Sequence, residues 1–202
     1  MSSRATTKAV LIDLLMATMD SISAWVTAVG DHEAGLAWRD AVTDRMLAAG
    51  RYVPYEALVA DAAAALQLDP NAVHRLREAW MRMEPWPDVG ALDRLTVPYA
   101  FVTNCSAELA AAAVARSGLS PVFTLSAEEA GWYKPRAEVY RLACERAGVK
   151  PEEARFIAGA AYDAEGARAA GLGAILILRR PPPGSLSPAI RAAESLTQAL
   201  VK

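Results

Sequence analysis

Two cysteines, two histidines and a nearly balanced charge leave this 202-residue chain without several of the signals that most readily betray a function. Cys105 and Cys144 stand alone and far apart, which excludes a disulfide framework of the small secreted kind and suggests two free thiols in a reducing compartment. No cysteine pair has metal-ligand spacing, and no glycine-rich phosphate loop of the Walker type occurs. His32 and His74 are near no serine or cysteine elbow, so a Ser-His-Asp or Cys-His hydrolase is not expected. A net charge of -2 leaves no basic stripe to neutralise phosphates, which argues against nucleic acid as a partner. Long apolar runs are missing too. The run over residues 9–15 is broken by Asp13 and is too short for a leader core or a membrane span, so the expectation is a cytoplasmic protein with no membrane contact.

A hydrophobic fraction of 53% is that of a folded globular chain, and the length suits one core domain with a modest insertion. Short apolar runs begin at Ala9, Tyr99, Val122, Arg155 and Ala174, each suited to a buried strand. Helical spacing fills residues 107–117, 136–147 and 164–170 between the later runs, so strand and helix alternate as in a parallel sheet covered on both faces. Residues 21–87 differ. Apolar residues recur at helical spacing over 36–49, 55–66 and 71–83, with no convincing strand. This segment reads as a helical cap inserted after the first strand, ending where Pro85 and Pro87 break the pattern. Residues 1–20 and 88–202 then form an α/β core with a Rossmann-like parallel sheet. A weak final helix is expected after a stiff surface connection through Pro181, Pro182 and Pro183.

In such a sheet, reactive groups collect at the carboxyl ends of the strands. Four polar clusters lie there. Asp13 is a lone acid amid apolar neighbours, retained either by a function or as a hydrogen-bonded strand-end cap. Thr103, Asn104 and Ser106 follow the second strand and precede a helix, where they can hold an anion or simply cap the helix. Lys134 stands in a turn before Pro135, with Tyr140 further on, and is by itself an ordinary candidate for a solvated charge. Asp163 follows the fourth strand and doubles as a helix N-terminal acid.

Taken in order, these parts resemble those of the haloacid dehalogenase superfamily, and the nearest branch is the type II enzymes, the L-2-haloacid dehalogenases. The resemblance spans nearly the whole chain. It rests on the stretches around Asp13, on Thr103 and Asn104, on residues 127–140 with Lys134 and Tyr140, and on residues 156–167 with Asp163. It implies that Asp13 is a nucleophile that displaces halide and is then freed by hydrolysis of the resulting ester. It implies a catalytic role for Lys134, which would keep the nucleophile ionised, and for Asp163. Thr103, Asn104 and Tyr140 would contact the substrate, with no metal and no organic cofactor. The family also receives the leaving halide on a cap arginine, for which Arg39, Arg45 and Arg51 are available; the expected position falls on or beside Arg45, and Arg45 and Arg39 are the candidates. Trp25, Trp38 and Trp86 would line a pocket or simply pack the core.

The departures from the pattern are specific. The second aspartate of the superfamily's phosphatases falls on Leu15, which leaves Asp13 and Asp163 as a poor magnesium ligand set. The dehalogenase threonine falls on Ala17 and its glycine on Met16, while its strand-four serine and asparagine fall on Ala158 and Ala160. Thr18, Thr103 and Tyr162 are candidate replacements. The reading is therefore hydrolysis of a small 2-haloacid in the cytoplasm by a protein that can form a homodimer. The alternatives are another hydrolase of this fold acting on, for example, a phosphate ester, and an impaired relative that only binds small organic acids.

Overall fold

The computed structural model describes residues 6–180, 187–188 and 190–200. The proline connection expected at residues 181–183 lies outside them. Six parallel strands form one sheet in the order β3-β2-β1-β4-β5-β6, with β1 (Ala9–Ile12) and β4 (Ala154–Ala158) at its middle. The α/β class and the Rossmann-like core thus follow the sequence reading. The central strands are apolar throughout because helices cover both faces, so neither face needs polar residues. Two buried apolar groups result, one on each side of the sheet.

Registers place the reactive edge. Ile12 pairs with Phe101 of β2 (Tyr99–Thr103) on one side and with Ile157 of β4 on the other. Strands β1, β2 and β4 therefore end at one level, and the chain order reverses between β1 and its neighbours, where a crevice opens. The run expected as strand through residue 14 stops at Ile12. A single π-type turn, Leu14–Thr18, follows at once, because the Asp13 side chain caps its N–H groups. On the core side, α5 (Ala107–Ser117), α6 (Ala127–Ala130), α7 (Ala137–Arg146) and α8 (Ala161–Ala169) connect the strands, with β3 at Thr124–Ser126 and β5 at Gly173–Ile177. Near the C-terminus the sequence suggested only a helix. The structure adds an edge strand, β6 (Arg191–Ala193), before α9 (Leu196–Leu200); three residues with a single buried side chain leave too little pattern to read.

Residues 21–80 fold into α1 (Ser21–Val29), α2 (His32–Ala49), α3 (Tyr55–Ala65) and α4 (Ala72–Trp80). The first of these was not resolved as a separate helix in sequence. Its start is set by Asp20, whose carboxylate accepts the Ser23 N–H, and its end by Gly30 in the left-handed region. The helix α2 crosses α1 at Gly35, where an added Cβ would stand 2.8 Å from the Val26 Cα, so glycine alone permits the approach. The two connections to the core run side by side. Met19 pairs with Pro85, and the Trp86 N–H donates to the Thr18 carbonyl at 2.9 Å. Further along, the edge of this layer is fastened by Tyr133, which donates its N–H to Gly50 O at 2.8 Å and its hydroxyl to Val53 O at 2.7 Å.

Candidate active site

Asp13 is both the strand-end cap and the partner of a buried cation. Its N–H donates to Ile157 O at 2.8 Å, which fixes the backbone to β4. Oδ2 accepts the N–H groups of Met16 at 3.0 Å and Ala17 at 3.2 Å, and Oδ1 accepts Lys134 Nζ at 2.9 Å. Gly159 packs against the same carboxylate: a Cβ there would fall 2.8 Å from Oδ2 and 2.2 Å from Met16 Cβ.

Lys134 spends all three ammonium donors. They go to Asp13 Oδ1, to Asp163 Oδ2 at 2.5 Å and to Val102 O at 2.9 Å. The side chain is 1% exposed, and burial by itself would strip the charge. The carboxylates of Asp13 and Asp163 outweigh that effect and hold the ammonium above the ordinary lysine range. Asn104 sets the position of this residue by grasping its backbone: Lys134 N–H donates to Asn104 Oδ1 at 2.8 Å, and Asn104 Nδ2 donates to Lys134 O at 3.0 Å.

Asp163 lies in the first turn of α8 and is as deeply buried. Burial pushes its carboxyl up, Lys134 opposes this and Asp13 adds to it, leaving a pKa of about 6. Its Oδ1 accepts the Tyr140 hydroxyl at 2.6 Å. Asp13, Lys134, Asp163 and Tyr140 therefore form one continuous buried network joining parts of the chain up to 150 residues apart.

A crevice with about 530 Å³ of free space, continuous with solvent, opens over this network. The core contributes Asp13, Thr103, Asn104 and Asp163 to its lining; helices α1 to α4 contribute Trp25, Arg39, Tyr55 and Trp80 among others. Of the cap arginines, Arg39 reaches the crevice, with Nη1 2.7 Å from Asp40 Oδ1 and Nη2 3.3 Å from Met16 Sδ. Arg45 does not. Its guanidinium is committed to Asp61 at 2.6 Å and to the carbonyl of Ala41, one turn earlier on the same helix, at 3.0 Å. Arg51 stacks on Trp132, 4.6 Å from the ring centroid.

Tyr140, expected to touch substrate, instead stands behind Asp163 and is absent from the crevice lining, because its hydroxyl is drawn to that carboxylate. Trp25 lines the crevice, whereas Trp38 is buried with its indole N–H on Val59 O and Trp86 caps Met16 O. Of the possible replacements for lost polar groups, Thr103 and Tyr162 line the crevice, and Thr18 does not, its hydroxyl being turned back to Leu14 O. Sequence reading missed Tyr55 and Trp80. The i, i+4 spacing of Ala72, Leu76 and Trp80 was the available signal, since it sets one buried face on α4.

The protein-family model of the haloacid dehalogenase-like hydrolases matches residues 10–171. Among curated relatives, the (S)-2-haloacid dehalogenase 4A of Burkholderia cepacia is 33% identical over 132 residues, covering 61% of this chain and 57% of that protein. The haloacetate dehalogenase H-2 of Moraxella sp. (strain B) is 31% identical over 134 residues, 60% of each chain. These matches thus span about three fifths of the relatives' length. A crystal structure of a dehalogenase with an intermediate complex superposes with a TM-score of 0.84 at 25% identity, covering 96% of both chains. The L-2-haloacid dehalogenase from Xanthobacter autotrophicus with covalently bound chloropropionic acid shares the fold, with a TM-score of 0.76 at 23% identity over 87% of this chain and 79% of that one.

Proposed function

This chain belongs to the haloacid dehalogenase-like hydrolases, and on that premise we propose that it removes halide hydrolytically from a small 2-haloacid through an ester formed on Asp13. The observation that carries the reading is the ion pair beneath the crevice, Lys134 Nζ at 2.9 Å from Asp13 Oδ1, with the other Asp13 oxygen held by two backbone N–H groups.

That division of labour suits two steps. Oδ2 already accepts two donors, so Oδ1 has lone-pair capacity left to attack C2 of the substrate while the carbon–halogen electron pair leaves with halide. Oδ2 then becomes the ester carbonyl oxygen, and the Met16 and Ala17 N–H groups stand where negative charge develops when water adds to the ester carbon. Cleavage of the bond between that carbon and Oδ1 releases Oδ1 with the substrate as the hydroxyl of a 2-hydroxy acid, and the water oxygen takes its place in the regenerated carboxylate; the net change is water consumed and a hydrogen halide released. Arg39, which lines the crevice, would receive the halide. Lys134 fills the ground between the two carboxylates that a divalent cation would need, which favours chemistry without one.

Ala160 lining the crevice, where the dehalogenase pattern has asparagine, supports a second reading in which attack outruns ester hydrolysis or the site only binds small acids. One experiment separates these. Purified protein is incubated with chloroacetate, bromoacetate and 2-chloropropionate, and halide release is measured alongside the intact mass. Catalytic halide release that Asp13→Asn abolishes supports dehalogenation, and a stable adduct on Asp13 indicates stalled hydrolysis. No halide and no adduct would remove the enzymatic reading.

A further inference from the structure

Two phenol groups in the crevice have no role in the chemistry above. Tyr55 opens α3 in the cap, and Tyr162 lies in the first turn of α8 in the core, so the crevice has one on each wall. Neither hydroxyl has a hydrogen-bond partner among the described residues. Neither is sealed in packed hydrocarbon, since the one sealed and unpartnered side-chain polar atom there is Arg179 Nε. Tyr55 is otherwise 4% exposed, so what it shows to free space includes its hydroxyl, and the free space it lines is the crevice.

Resting on the dehalogenase reading, we propose that Tyr55 and Tyr162 form a hydrogen-bonding subsite for an oxygen on C3 of the substrate, which makes 2-halo-3-hydroxy acids preferred over their 2-haloalkanoate counterparts. Burial raises both phenols, Tyr162 to about 12, so each remains a protonated donor at neutral pH. An alkyl group closing over the two hydroxyls would dry them without pairing them, and sites with buried donors reject such analogues strongly. The acceptor is a neutral oxygen on charge grounds. Lys134 is shared by Asp13 and Asp163, Arg39 is already paired with Asp40, and the substrate's own carboxylate adds a further negative charge, so a second carboxylate would meet no unpaired cation among the described lining residues.

The test compares kcat/KM for halide release from 2-chloro-3-hydroxypropionate and 2-chloropropionate. The expected ratio is about tenfold or more in favour of the hydroxylated acid, falling toward one in Tyr55→Phe and Tyr162→Phe. Equal or better use of 2-chloropropionate, or a ratio that survives both substitutions, overturns the proposal. Binding of the unreactive acids glycerate and lactate, followed by calorimetry, gives an answer that does not depend on dehalogenation. Tighter glycerate binding that both phenylalanine variants weaken upholds the subsite even where no halide is released; equal binding of the two acids refutes it.

Discussion

Lys134 Nζ lies 2.5 Å from Asp163 Oδ2 and at the same time 2.9 Å from Asp13 Oδ1, so one buried ammonium serves two buried carboxylates. The arrangement is one charge short of neutral within itself, and it persists because Val102 O, Tyr140 and two backbone N–H groups absorb the remaining hydrogen-bonding capacity. Removing the cation leaves both acids stranded. Lys134→Met is expected to cost about 3–5 kcal/mol in stability and to abolish halide release. Urea unfolding at pH 7 together with a halide assay checks this, and a stable, active variant would show that the ion pair matters to neither.

Asp163 carries the pH dependence. Its folded pKa, about 6, lies above the ordinary aspartate value of 3.8, so its contribution to stability is full below about pH 4 and is lost as pH rises through about 6. The loss is on the order of 2–3 kcal/mol, because the folded state keeps a proton that the unfolded state has released. Lys134 is charged throughout this window. Measured between pH 4 and 7, the stability of the protein relative to Asp163→Asn should fall as pH rises. Halide release should show the opposite trend, with an acid limb near pH 6 as protonation uncouples Asp163 from the ammonium.

Tyr140 tunes that limb without touching substrate. Its hydroxyl hydrogen bond favours the ionised Asp163, so Tyr140→Phe is expected to move the acid limb of kcat to higher pH and to cost about 1 kcal/mol in stability. A lowered kcat with the limb unmoved would assign Tyr140 a packing role alone.

Much of this network was legible before any coordinates, and the reason is topological. Asp13, Thr103 and Asn104 stand at the ends of apolar runs and Asp163 a few residues past one, and a parallel sheet brings the ends of its central strands to one edge. What stayed hidden depends on side-chain direction. Arg39 and Arg45 lie on one helix, six residues apart, and no periodicity argument said which of them lines the crevice. Tyr140 follows Lys134 by six residues and was expected to contact substrate, whereas its hydroxyl turns to Asp163. The close approach of Gly159 to Asp13 was invisible for the same reason, since a strand-end glycine reads as a turn residue whether or not another chain segment presses on it.

Gly159→Ala tests that approach. The new methyl would meet Met16 Cβ at 2.2 Å, Ala17 N at 2.7 Å and Asp13 Oδ2 at 2.8 Å, and two of those atoms belong to the cap on the carboxylate itself. The expected result is about 1–3 kcal/mol of destabilisation with a larger fractional loss of activity than of stability, because the displaced group is the proposed nucleophile. Thermal unfolding and initial rates of halide release measure the two effects separately.

The choice between the cap arginines is settled by single substitutions. Arg39 is the one cation among the described lining residues, its side chain 12% exposed and held between Asp40 and Met16, so in Arg39→Ala a departing halide would meet neutral groups and carboxylates with no positive charge in the lining. Its kcat/KM should fall about 10²-fold, the usual effect of losing one donor aimed at developing negative charge. Arg45→Ala removes a half-exposed pair with Asp61 outside the crevice and should leave kcat/KM within a factor of two and stability within about 0.5 kcal/mol. The reverse order of effects would mean that halide leaves along the outer face of α2, and Arg39 would then be a structural tie between Asp40 and the turn after β1.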